Sequence, residues 1–181
     1  RHIIPVIGHT FNEDTWVAPA ARAYFEGGLS YFPSENWLST YVVHDDNFGP
    51  YYCLPRHFLE KDNFRLILSL KRRASSTESA DAEAIALAYL KGLSSALVDG
   101  NEWMKRFRAY SKSGLLVLRA LLVTRDEYIA HISSSKCWNG AETDPDCVEA
   151  MKAELPDYFW MVEASAPELF SATRRKFGEI L

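Results

Sequence analysis

Trp37-Leu38-Ser39-Thr40-Tyr41-Val42-Val43-His44-Asp45-Asp46-Asn47-Phe48-Gly49-Pro50-Tyr51-Tyr52 reads as strand, turn and returning strand. A β-branched and aromatic run from about Trp37 to His44 meets the turn formers Asp45 to Pro50, and Tyr51 to Leu54 can return as the next strand. The return follows Asp45 too closely for a crossover helix, so part of the sheet must be antiparallel. Strands and helices otherwise alternate, and the expected fold class is α+β, or mixed α/β.

Upstream, His2-Ile3-Ile4-Pro5-Val6-Ile7-Gly8 is a second apolar run. It suits a strand over 2–8, with Pro5 implying an edge or a bulge because proline has no amide to donate. Residues 9–15 read as a polar turn, and Val17 to Phe25 as a short helix with Pro19 in its first turn and Gly27-Gly28 ending it. Downstream, Arg65 to Leu70 is expected as a strand. Ala80 to Val98 is expected as a helix, capped from Ser75 to Glu78, with Ile85, Ala88, Tyr89, Leu93 and Leu97 at helical spacing. Trp103 to Ser111 suits a helix and Leu115 to Val123 a buried strand. Thr124 and Glu127 form a capping box for a helix through Ile132. Ser133 to Pro145 reads as a surface loop. Asp146 or a neighbour then caps a helix to about Leu155, and Tyr158 to Glu163 reads as a strand. Gly178 to Leu181 looks like the beginning of another.

With 181 residues, 48% of them apolar, the chain can bury one sizeable core without requiring two. Basic residues number 20 and acidic residues 24, for a net charge of −4, which gives no global pull towards nucleic acid or an anionic membrane. Lys71-Arg72-Arg73 and Arg174-Arg175-Lys176 are short basic runs of the kind that usually form solvated faces. No apolar run reaches the roughly 20 residues needed to span a bilayer. Cys53, Cys137 and Cys147 are odd in number and lack zinc spacing, so a reducing, cytoplasmic setting is expected, with a Cys137 to Cys147 bridge possible. Cys53, in the returning strand, is expected to be packed. The aromatic residues fall mostly inside apolar runs and read as core, and His131 reads as a surface or helix-end histidine. The chain begins with Arg1 rather than Met and is expected to be a fragment of a longer protein.

His2 lies six residues before Gly8, and Asp45 four before Gly49 at the end of a β-rich run. In that order and spacing the pair resembles the His and Asp half of papain-like cysteine peptidases of the bacteriocin-leader-processing type, a bacterial group. The resemblance covers about fifty residues. It implies a papain-like half-domain over residues 1–57, with 58–181 a mixed helix and strand extension packed as one unit with it.

On the same resemblance His2 is the general base and Asp45 its orienter, with Asp46 replacing Asp45 if the register slips by one. The reaction is thiol-mediated acyl transfer, most simply peptide hydrolysis, without a cofactor. Its partners are a peptide or protein substrate and a preceding segment of the same protein. The family's nucleophilic cysteine belongs at a helix N-terminus upstream of the histidine, a region outside these residues, and none of the three cysteines has that context. Two other readings stand beside this one. The chain is a non-catalytic interaction or regulatory domain in which Asp45, Asp46 and Asn47 simply satisfy their own turn, or His2, His44 and Asp46 ligate a metal.

Overall fold

The computed structural model describes residues 4–14, 24–26, 29–59, 77–93, 100–136 and 140–181. Two sheets organise them. The smaller is antiparallel, in the order β1 (Val6–Phe11), β4 (Leu38–Asp45), β5 (Gly49–Pro55). The larger is mixed, in the order β2 (Tyr24–Glu26), β3 (Leu29–Pro33), β6 (Val117–Thr124), β7 (Tyr158–Ser165), β8 (Gly178–Ile180). Only β3 and β6 run parallel. A parallel pair needs a crossover, and α2 (Ser79–Gly92) and α3 (Glu102–Ser113) lie in that connection. Strands from both sides of residue 57 therefore share one sheet. The remaining helices are α1 (Arg56–Leu59), α4 (Arg125–Ser134), α5 (Pro145–Glu154) and α6 (Pro167–Thr173), and a 3-10 turn spans Ser34–Trp37. The fold is thus α+β.

Alternation along β6 and β7 gives the larger sheet two packed faces. Leu116, Leu118, Val162 and Ala164 turn to one side, where Tyr31 and the Ala82, Ala86, Leu87 and Leu90 stripe of α2 close over them with Phe107 of α3. On the other side Val117 packs with Trp37 and Phe170, bordered by Phe11 and Phe32.

That second cluster joins the sheets. The Trp37 indole N–H donates to Ser171 Oγ at 2.7 Å, with both side chains fully enclosed. Arg174 takes a left-handed backbone at the end of α6, with φ of 56°. Its guanidinium donates to the carbonyls of Phe170, Ser171 and Asn12 and lies over the Phe11 and Phe170 rings. Burial lowers its pKa from the ordinary arginine value, opposed by the Glu13 carboxylate.

Several expectations need correction. His9, Thr10 and Phe11 belong to β1 rather than to a turn, because Thr10 and Thr40 hydroxyls bond across the strands at 2.6 Å and Phe11 packs against Phe170. The turn comes later, where Asn12 Oδ1 accepts from the Asp14 amide. Tyr24 and Phe25 are strand, not helix, because β3 pairs with them. Trp37 closes the 3-10 turn instead of opening β4. On α2 the buried stripe is the alanine one, while Ile85 and Tyr89 face outward at 65% and 60% exposure, since small side chains let the helix approach the sheet closely. Helix α6, started by Pro167, was not expected at all. The run Arg174 to Lys176 is no solvated face, for Arg174 and Lys176 are both partly buried. The expected strand over 65–70, the cap from Ser75 and the helical residues beyond Leu93 lie outside the described residues, except that Glu78 with Asp81 forms the capping box of α2. The Thr124 and Glu127 box is present at α4, and Asp144 caps α5.

Candidate functional site

The β4–β5 hairpin starts beside the second core cluster, where Leu38 pairs with Phe11, but none of its own residues belongs to either cluster. Asp45 closes it opposite Gly49, whose φ of 93° suits the turn only because glycine carries no Cβ. Asp45 itself is 5% exposed, and its Oδ1 accepts the amides of Asn47 at 2.8 Å and Phe48 at 3.3 Å. The side chain thus organises the turn, as aspartates commonly do. Asp46 lies in that turn, exposed, and not on the strand face of His44, which is also exposed.

Beyond the turn the aromatic residues point to solvent. Phe48 is 71% exposed and stacks on Tyr52, with ring centroids 5.1 Å apart and planes 21° from parallel. Tyr51 is 75% exposed and holds a left-handed backbone, with φ of 62°. Burial on one face cannot explain this group, because Tyr51, Tyr52 and Cys53 are exposed in succession along β5. Across the sheet Val6 and Ile7 are also exposed, at 56% and 53%. Among the described residues no strand pairs with the outer edge of β5. The expectation that the aromatics are core holds for Tyr31, Trp37, Phe107 and Phe170 and fails here. Cys53 was expected to be packed and is exposed, as are Tyr51 and Tyr52 before it on β5. Cys147 is likewise exposed and free, and Cys137 lies outside the described residues.

The residues proposed for chemistry divide. His2 lies outside the described residues. The Pro5 carbonyl accepts the His44 amide at 3.0 Å, so the chain enters β1 alongside the last residues of β4, where Asp45 sits. His9 lies on β1 opposite Tyr41, edge-on to Phe11. Among the described residues no group of three or more His, Cys, Asp or Glu side chains is placed to hold a metal ion.

A second polar constellation was missed from sequence. Arg119, Glu163 and Glu179 stand directly opposite one another on β6, β7 and β8. Arg119 Nε donates to Glu163 at 2.7 Å, and Lys176 Nζ bridges Glu163, at 2.9 Å, and Glu179. His131 Nε2 lies 3.3 Å from Glu179, and the Tyr128 hydroxyl donates to it at 3.1 Å. Burial alone would push Glu179 up and Lys176 down. Their contacts with each other outweigh it, holding Glu179 below the usual carboxylate value and Lys176 above the usual lysine value. Burial and the adjacent carboxylate together raise the Tyr128 phenol. Every carboxylate in this ladder meets a cation, which suits a structural clamp.

Glu83 is different in kind. It is 8% exposed on α2 and accepts from the Tyr31 hydroxyl at 2.8 Å and the Ala120 amide at 3.2 Å. The β3–β6 ladder stops at Pro33 and Leu118, so this carboxyl takes the place of the next strand residue. Burial pushes its pKa up to about 7, against the two hydrogen bonds that lower it.

A half-open concavity of about 310 Å³ between α2, α3 and β8 is lined by Leu90, Leu93, Met104, Phe107 and Ile180 among others. Among the described residues no helix is long and apolar enough to cross a membrane. Comparison with protein-family models, with curated proteins and with solved structures yields no match.

Proposed function

We propose that this chain is a polypeptide-binding module in which the β4–β5 hairpin docks an extended segment of a partner, in a cytoplasmic setting consistent with its free, exposed thiols. The observation that carries the reading is Tyr51. A bulky residue held at φ 62° costs on the order of 1–3 kcal/mol. Its ring, 75% exposed, gains little burial in return. Strain maintained without packing points to use, and the Phe48–Tyr52 stack beside it supplies rigid aromatic area. An outer strand that no described strand pairs, next to exposed rings, suits an extended chain, whose backbone can add to β5 while alternate side chains meet the aromatics.

The test is selection of a displayed random-peptide library on the purified chain, followed by titration of the enriched peptides as synthetic ligands. Enriched sequences with alternating apolar positions, bound by the native chain and lost in Phe48→Ser/Tyr52→Ser, support the reading. No enrichment, or binding unchanged in that variant, overturns it.

A second reading is favoured by one specific observation, the burial of Asp45 beside the entry of β1. There the chain belongs to a cysteine-peptidase-like protein, with His2 as base, Asp45 as orienter and the thiol supplied from outside these 181 residues. Asp46 is the weaker orienter, being exposed in the turn. Brief iodoacetamide treatment of the longer protein near pH 6, where ordinary thiols react slowly, tests it. One fast-labelled cysteine that His2→Ala silences supports the acyl-transfer reading, and uniformly slow labelling overturns it.

A further inference from the structure

The hairpin is one-signed as well as aromatic. From Leu38 to Pro55 there is no lysine or arginine, although the chain carries 20 elsewhere, and the two acidic side chains of that stretch, Asp45 and Asp46, both sit at its tip. Asp45 is buried in its turn, which leaves Asp46 as the exposed carboxylate beside Phe48. The Tyr51 ring and the outer faces of the Phe48–Tyr52 stack carry negative quadrupole density, and a guanidinium or ammonium within about 6 Å of such a ring is attracted to it. Carboxylate and rings therefore favour the same kind of ligand atom. They disfavour phosphate, and with it nucleic acid and anionic lipid.

We infer that the hairpin selects extended polypeptide segments carrying lysine or arginine, whose cationic heads lie against the Phe48, Tyr51 and Tyr52 rings beside Asp46 while their aliphatic stems cover the apolar surface. The inference rests on the hairpin reading above and adds the chemistry of its partner. Lysine and arginine suit the site because the stem and the head satisfy different parts of it. Arginine is the better of the two, since its planar guanidinium stacks on a ring.

The test uses three fluorescein-labelled peptides of one alternating apolar pattern, with Arg, Gln or Glu at the intervening positions, titrated by anisotropy against the intact chain. The expected order is Arg tighter than Gln tighter than Glu. The Arg advantage should shrink between about 0.05 and about 0.5 M salt, as exposed charge interactions do. Asp46→Asn should reduce the Arg-to-Gln affinity ratio by roughly 2- to 5-fold, the size of one exposed charge contact. Equal affinities for Arg and Gln peptides, with both lost in Phe48→Ser/Tyr52→Ser, would overturn the cationic preference and leave the hairpin reading standing. Failure of all three peptides to bind would overturn the reading beneath it. A dimer in sedimentation velocity that Phe48→Ser dissolves would assign the surface to a second copy of the chain and overturn both. The substituted side chains are all exposed, and an unchanged thermal midpoint verifies that each variant is folded.

Discussion

Glu83→Gln should stabilise the chain at alkaline pH and barely affect it in acid. The buried carboxyl titrates at about 7 in the folded chain against an ordinary 4.5. A raised acid pKa means that the folded state holds a proton which the unfolded state has released, so stability falls as pH rises between these values. The cost is complete above about 7. At 1.36 kcal/mol per unit the shift corresponds to about 3 kcal/mol. Glutamine keeps the geometry, since its oxygen can accept the Ala120 amide while its NH2 donates to the Tyr31 hydroxyl. Urea unfolding of both proteins at a series of pH values from about 4 to about 8 measures the difference. With an m-value of about 2 kcal/mol/M, the variant's midpoint should gain roughly 1.5 M on the native chain across that range. Parallel midpoints throughout would show that Glu83 does not ionise with an elevated pKa, and would refute the argument from its burial.

Lys176→Met should cost about 3 kcal/mol near neutral pH, because it leaves the Glu163 and Glu179 carboxylates facing each other partly buried without their shared cation. Urea midpoints of the two proteins read the loss. In the native chain the depressed Glu179 contributes stability that is present above the ordinary carboxylate range and lost as pH falls through its folded value. Trp37→Phe and Ser171→Ala should each cost about 2 kcal/mol, and the double variant should reveal a coupling of about 1 kcal/mol, the signature of the indole–hydroxyl bond that joins the sheets. Thr124→Ala should cost about 1 kcal/mol by opening the α4 capping box, measurable as a lowered thermal midpoint.

What was legible in the sequence was mostly local. The hairpin, the Thr124 and Glu127 box, and strands β6 and β7 follow from turn chemistry and short-range pattern, which depend on neighbours in the chain. The buried face of α2 was not legible, because both its alanine stripe and its Ile85 and Tyr89 stripe are apolar, and only the sheet decides between them. Lys176 looked like surface charge because Glu163 reaches it only through strand register, although Glu179 lies three residues on, and Arg174 because its carbonyl partners include Asn12, just beyond β1 of the other sheet. Helix α6 did carry a signal, Pro167 followed by Glu168, at the position where proline favours a helix start. At the candidate site, the Asp45 turn was foreseen as one reading of the triplet. The exposed aromatics were not, since Phe48, Tyr51 and Tyr52 sit in a run as apolar as those that form the core.

Hydrogen exchange with and without a selected peptide is the most direct test of the polypeptide-binding assignment. An extended ligand added to the outer edge of β5 should slow exchange at amides between Tyr51 and Leu54, and Phe48→Ser/Tyr52→Ser should abolish the effect. Protection confined to the concavity between α2, α3 and β8, with β5 unchanged, would contradict the assignment and move the binding surface to the other sheet.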